Sequence, residues 1–596
     1  MTTTSIDAIL DSLRTGDISR RSFVRRATAL GISASVAAAM SREAFAQESS
    51  PAASPTSGEV IRSITRDEYY QQLAETYPME EVGSPGGQFI YAQTSDIQVL
   101  NPTLVQDVYS AYITGNLFNT LIQASAIDGT YVPDLAEYWE ASADGLTYTF
   151  YLNQAATWHD GQPVTAADVE FSFASILDPT SLSVRLSDVS SVVASYKVID
   201  DYTFEVTATA PVANFLDKGP NNVSIIPKHV WESVPFANFA ADPGSTGQDP
   251  ARVVGSGPFK FVEWVANDHV TIARNDNYWD TARTPNLDSF TYRVIPEPSA
   301  SIQALITAEI DGVEVPLPQV DSLKESNPEI QQFVSDTTNF TYFSPNLDPA
   351  RTTLFEDVRV RQAMMYALDR QLAAEQVLFG YGIQADGTQP VLSVAYAPDQ
   401  VNTIYNYDPE KAKSLLEEAG WVDSDGDGVR EKDGVKFSFE VGYAEGEQTY
   451  VQLLPYMQQA WGEVGIESAP TAIPFPTLVE QFTTGQFDVV VIGFTWTVDG
   501  DQGSMFRTDS FAPNGFNCAH YSNPEYDALN DAQALELDPE KRRQLLIDQS
   551  NIINDEQPVG ILFFSKEVQA AQPTIHNYLP NGYSTLWSLP WTWVEA

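Results

Sequence analysis

The segment GFTWTVDGDQG at 493–503 places Trp496, Asp499 and Asp501 just after the apolar run FDVVVIG, where a buried strand should end. Two carboxylates this close could divide acid and base roles, as in a secreted hydrolase acting on peptides or glycans. Alternatively, one carboxylate can seat a desolvated ammonium through charge-assisted hydrogen bonds, worth about 1.5–3 kcal/mol when well aligned. The Trp496 ring serves equally as a ligand-stacking face or as core, and Asp499 can cap a turn with Gly500. A second polar cluster, Gln106, Asp107 and Tyr109, follows the helix-breaking Asn101-Pro102 pair. The sequence contains neither GxSxG nor HExxH, so nucleophile and zinc-protease chemistry lack their local signatures.

These residues need strands and helices to hold them. Thr65 to Glu68 reads as a capping box ahead of a helix reaching about Thr76, and 84–93 as a glycine turn followed by an alternating strand. Ile113, Leu117, Phe118 and Leu121 predict a helix over 109–122. Strand-like runs at 146–152 and 202–209 flank a second capping box, Thr165 to Asp168, that opens a helix. Short strands are expected between 256 and 295 and a helix over 299–309. Val360, Met364, Ala367, Leu368 and Leu372 predict one amphipathic helix over 357–375. Helices over 408–419, 450–464 and 524–534 then alternate with strands at 436–444 and 487–494, a second α/β region.

At 596 residues the chain exceeds what one core organises, and two or three lobes are expected. A hydrophobic content of 43% excludes a disordered chain. The formal charge of −48 excludes nucleic acid and anionic lipid as partners, keeps the protein soluble and attracts cations. The single cysteine, Cys518, excludes an internal disulfide and a cysteine metal cage. His159, His229, His269, His520 and His576 are scattered, so no cofactor and no sequence-local metal site is expected. Asp423, Asp425 and Asp427 ahead of Gly428 imitate the first half of a calcium loop, but the twelfth position is Gly434. A polar hairpin turn is preferred there, without useful calcium affinity.

Arg20-Arg21 precede the small-residue segment 27–40, and Ala44-Phe45-Ala46 offers a cleavable bond. The pattern resembles a twin-arginine export signal over 1–46. The apolar segment is too short to span a bilayer. No cysteine ends the leader to carry a lipid, so release to the periplasm, cell surface or medium is expected. Residues 47–84 read as linker plus a short helix.

Four stretches, TWHDGQPVTAADVEFSF (157–173), GSGPFKFVEW (255–264), FEDVRVRQAMMYALDR (355–370) and YDPEKAKSLLEEAGWVDSDGDGVREKDG (407–434), together resemble the peptide-binding branch of the solute-binding proteins serving ABC importers. The resemblance covers roughly 500 residues in order. It implies an α/β, two-lobed periplasmic-binding-protein-like fold of type II, with mixed sheets, an extra subdomain and a hinged cleft. The expected layout is lobe I over 85–130, 251–340 and 556–596, the extra subdomain over 131–250, and lobe II over 341–555. It also implies a non-catalytic monomer that closes on a small peptide or other small solute and delivers it to permease subunits. The family includes carriers of oligosaccharides, nickel chelates and haem, which remain alternatives.

Within the four stretches, fold punctuation is expected: His159 as a turn residue, the GSGPF glycines as a tight turn, and the helix arginines on solvated faces or in ion pairs. The family's Trp-x-x-Asp, whose carboxylate meets a peptide α-ammonium, falls on Trp496 and Asp499. Family dipeptide binders present an arginine to the ligand carboxylate just after the strand corresponding to 436–444, and 443–448 here reads YAEGEQ. A buried ligand carboxylate without a cation is costly by several kcal/mol. Longer peptides, amidated or cationic compounds or non-peptide solutes are therefore expected in preference to free dipeptides.

Overall fold

A computed structural model describes residues 60–595 except 84, 513 and 514. The predicted export signal and most of the linker lie outside the described residues. No described helix is long and apolar enough to cross a membrane. The chain divides into two compact units. The first holds the described residues up to Val313 together with those from Ala571 onward, and the second runs Glu314–Ala570. The chain thus crosses between the units near 313 and 570.

In the first unit, helix α1 (Arg66–Thr76) starts on the predicted capping box, with Thr65 and Glu68 bonded reciprocally. Strand β1 (Gln88–Gln93) follows, and Asp107 caps α2 (Val108–Leu117). Helix α2 ends earlier than its apolar spacing predicts, because Phe118 turns extended and Ile122 enters a short strand. An antiparallel layer contains β2 (Ala136–Ala141) and β3 (Thr147–Leu152), then, after α3 (Ala166–Leu177), β4 (Val193–Asp200) and β5 (Thr203–Ala208). With Ile61–Arg62 at one edge it forms a five-stranded sheet. Its inner face buries Phe150, Phe204 and Val206 against Phe173 of α3, which gives this subdomain its own core. The rest of the unit is built on β6 (Phe259–Val265), β7 (His269–Arg274) and β8 (Ser289–Val294), antiparallel in sequence, with β8 parallel to β1.

The GSGPF turn explains its glycines by crowding. A Cβ on Gly255 would sit 1.8 Å from the Leu117 carbonyl oxygen, and one on Gly257 2.5 Å from that of Asn116. His159 locks the same turn: its Nδ1 accepts from the Gly255 N–H at 3.0 Å and its Nε2 donates to the Gly257 carbonyl at 3.1 Å. Burial depresses its pKa to about 4, so the ring is neutral and structural.

In the second unit, β9 (Gln331–Pro345) precedes α4 (Val358–Tyr366) and α5 (Arg370–Val377). Helices α4 and α5 replace the single predicted helix. Asp369 interrupts the stripe because its carboxylate caps the Leu372 N–H at 2.9 Å, and Leu372 is left 38% exposed. The helix arginines also depart from expectation. Arg361 and Arg370 are buried, and they donate to carbonyls rather than to carboxylates. Arg361 bonds Glu556 and Phe355 at 2.8 and 2.7 Å; Arg370 bonds Tyr405 and Ile561 at 2.9 and 3.1 Å. Arg359 alone follows expectation, paired with Asp357.

Next come α6 (Pro409–Glu418), β10 (Ser438–Ala444), α7 (Gln448–Glu463), β11 (Glu467–Ile473) and β12 (Val489–Thr495). The unit is completed by α8 (Pro524–Leu535), α9 (Pro539–Glu556) and β13 (Gly560–Ala571). Its sheet runs β11, β10, β12, β9, β13, parallel across the first two pairings and antiparallel between β12 and β9. Phe343, Phe439 and Trp461 meet edge to face in its core.

Candidate functional site

Strand β12 delivers the predicted loop. Phe494 lies opposite Phe340 of β9, and Trp496 continues the run with its backbone N–H on the Thr338 carbonyl at 3.1 Å. The Trp496 ring is 7% exposed and packs on Phe494 and Phe340, with centroids 5.1 and 6.5 Å away. This is core packing, although the indole N–H has no acceptor among the described residues. Beyond it, Gly500 takes a φ of +85° that favours glycine, and its carbonyl accepts from the Gln389 amide at 2.9 Å.

The acids of the loop are occupied from within the second unit. Arg542 of α9 reaches Asp499 bidentately, its two terminal nitrogens 2.8 and 2.7 Å from the two carboxylate oxygens. Its third nitrogen donates to Gln533 of α8 at 3.0 Å, which aims the guanidinium. Both side chains are largely buried, 12% and 15% exposed. Asp501 accepts from the Gly503 N–H and the Asn530 amide, each at 2.9 Å. The charge of Asp499 is thus matched by Arg542, and the loop is clasped to α8 and α9. Both oxygens of Asp499 are engaged by Arg542, so the carboxylate is held as the charged half of an ion pair.

Sequence reasoning missed Arg542, because 43 residues and two helices separate it from its partner. It also missed the aromatic surface beside the loop, where Phe516 is 55% exposed and meets half-buried Phe494 edge to face at 5.4 Å.

In the first unit, Asp107 is the N-cap of α2, its Oδ1 accepting from the Ser110 N–H at 2.8 Å. Its Oδ2 is buried with no donor among the described residues. Tyr109 is half-buried with its hydroxyl 3.2 Å from that of Thr94, and Gln106 is exposed. These three therefore sit together at the mouth of one helix, one polar atom unsatisfied. A wider concavity, about 830 Å³, lies among 137–138, 151–155 and 200–203 of the five-stranded layer and touches none of the predicted residues.

The DSDGDG loop leads into a short hairpin, Glu431–Lys432 with Val435–Lys436. Asp423 caps the Gly426 and Gly428 N–H groups at 2.7 and 3.1 Å. Asp423, Asp425 and Glu431 offer oxygens within 4.8 Å of one another, so the ninth position contributes a carboxylate where the twelfth does not. Asp427 is engaged by Lys436 instead.

The model of the bacterial extracellular solute-binding proteins, family 5, matches residues 130–518. The oligopeptide-binding protein AppA of Bacillus subtilis is 28% identical over 524 residues, covering 86% of this chain and 93% of its own. The heme-binding protein A of Haemophilus influenzae is 26% identical over 538 residues, covering 86% of this chain and 94% of its own. The structure of Bacillus subtilis AppA in complex with a nonapeptide superposes with a TM-score of 0.70 at 27% identity, covering 86% of this chain and all of that one.

Proposed function

This chain belongs to the bacterial extracellular solute-binding proteins of family 5, and from that premise we propose that it captures an oligopeptide-like solute and delivers it to the permease of an ABC importer. Relatives described as oligopeptide-binding support the peptide class, and a heme-binding relative keeps a non-peptide solute as the second reading. Trp496, Asp499 and Asp501, with Gln106, Asp107 and Tyr109, are the proposed positions around the ligand, Trp496 and Asp499 as the packed and ion-paired base of their loop rather than as partners of a ligand charge.

The bidentate Arg542–Asp499 pair carries the finer reading. A carboxylate already matched by a guanidinium gains little from a ligand ammonium, because exchange replaces one charge-assisted pair with another. The solute is therefore not selected by a free terminal amine. It is held through backbone and apolar contacts, of the kind the exposed Phe516 ring offers.

Native mass spectrometry of freshly purified protein identifies the co-purified solute. A peptide so found is then compared with its N-acetylated twin by calorimetry. The wild type should discriminate between them by less than about threefold, below 1 kcal/mol. Arg542→Gln should uncover Asp499 and favour the free amine at least tenfold. A wild-type preference of tenfold or more for the free amine, abolished in Asp499→Asn, would overturn the reading.

Export by the twin-arginine route is proposed from Arg20 and Arg21. Retention of an Arg20→Lys, Arg21→Lys precursor in the cytoplasm supports it, and undiminished export refutes it. Capture by closure predicts a smaller radius of gyration with saturating solute, and superimposable scattering curves count against it.

A further inference from the structure

The first unit holds a separate cavity of about 330 Å³ between α1, the outer side of α2 and the segment 583–591. That volume lies within the roughly 300–1,000 Å³ common for small-molecule sites. None of Gln106, Asp107 or Tyr109 lines it.

Its walls are aromatic. Trp591 stands edge-on to Tyr70 with centroids 6.3 Å apart, and Trp587 lies 6.0 Å from Trp591. The indole N–H groups donate to the Leu579 and Ala282 carbonyls at 2.5 and 2.9 Å, which fixes both rings while leaving them half-exposed. Tyr112 is anchored to Thr585 at 3.2 Å. Rigid rings with partly open faces are prepared for stacking at small entropic loss.

Its floor is polar and charge-matched. Arg283 donates to Asp134 at 3.0 Å, and the Asn119 amide donates to both oxygens of Asp134 at 2.9 and 3.0 Å. Asp280 takes the Tyr70 hydroxyl at 2.5 Å and lies 3.3 Å from Arg283. In a chain of formal charge −48, this site alternates its signs and offers neither a cation nor an anion an uncompensated partner.

Gly115 supplies an independent pointer. It sits exposed inside α2, where glycine is destabilising relative to alanine. No crowding requires it: a Cβ there meets nothing within 4 Å. Gly115 is one of the cavity's lining residues, so a larger side chain there would narrow its wall.

We propose that this cavity binds a neutral saccharide ring, its C–H faces against the tryptophans and its hydroxyls toward the Asn116, Gln123 and Asp134–Arg283 edge. A free cation is opposed by Arg283 and an anion by Asp134, whereas a neutral polyol can both donate to Asp134 and accept from Arg283. This inference does not rest on the peptide reading of the 499 loop.

The test titrates the intact protein with glucose, maltose, cellobiose and lactose, read by tryptophan fluorescence and saturation-transfer NMR, with choline and Ala-Ala as controls. At least one saccharide should bind saturably. Gly115→Leu should weaken it tenfold or more while the melting temperature holds or rises, and Trp587→Ala should weaken it similarly. Should Gly115→Leu fail to fold, Trp587→Ala and the wild type still decide. Absence of binding by all four saccharides overturns the proposal, as does binding undiminished in the variants that fold. Choline or Ala-Ala binding that these variants abolish, in place of a saccharide, overturns the ligand class.

Discussion

Removing either partner of the Asp499–Arg542 pair should unfold the second unit more readily than removing both would suggest. Breaking a fully buried pair costs about 3–5 kcal/mol because one charge is left uncompensated. Here the side chains keep 12% and 15% exposure, which lowers the expectation to about 2–4 kcal/mol for Asp499→Asn or Arg542→Gln alone. The two bonds, at 2.8 and 2.7 Å, are short and charge-assisted, so a coupling of about 1.5–3 kcal/mol is expected in the double mutant. Calorimetry and urea unfolding of the wild type, both singles and the double measure this directly. At about 2–4 °C per kcal/mol for a unit of this size, each single should lower the melting temperature by roughly 4–16 °C. The double should lose less than the sum of the singles. Losses that add within about 0.5 kcal/mol would refute the pair as a solution contact.

Gly255→Ala should destabilise the first unit by about 3 kcal/mol or more, since overpacking here meets an immovable carbonyl 1.8 Å away; an unchanged urea midpoint would contradict the turn's geometry. Glu314 has its pKa raised to about 7, by desolvation first and the Glu567 carboxylate second. The folded protein therefore binds more protons than the unfolded chain between pH 4.5 and about 7, and stability should fall as pH rises through that window. Glu314→Gln should flatten this slope, and an unaltered pH profile would argue against it. Burial raises the Cys518 thiol to about 12, so iodoacetamide at neutral pH should label it only after unfolding; rapid labelling of the folded protein would place it elsewhere.

Signals contained within a few residues were readable in the sequence. Thr65 with Glu68 and Thr165 with Asp168 begin their helices where the capping pattern puts them, because both partners lie within one turn. The alternation over 147–152 and 203–208 located two strands to within a residue or two. Apolar periodicity overran where a side chain competed with it, as at Asp369, whose cap splits one stripe into two helices. Features that join distant segments were not readable. Asp499 gives no hint of Arg542, and Arg361 gives none that Glu556 will accept from it, because no spacing rule links residues so far apart. Family resemblance located the loop, yet the state of its carboxylate depended on a helix that the motif does not include.

The buried arginines bear on when this protein can finish folding. Arg361 and Arg370 are made early in the second unit but terminate on carbonyls of Glu556 and Ile561, and the first unit regains its chain only from Ala571. A nascent polypeptide that has not reached Glu556 leaves each guanidinium short of one carbonyl acceptor and both units incomplete, in contrast with proteins that fold one domain at a time during synthesis. The first unit closes only with the segment from Ala571 onward, so any factor that shields the growing chain has to serve it until that segment emerges.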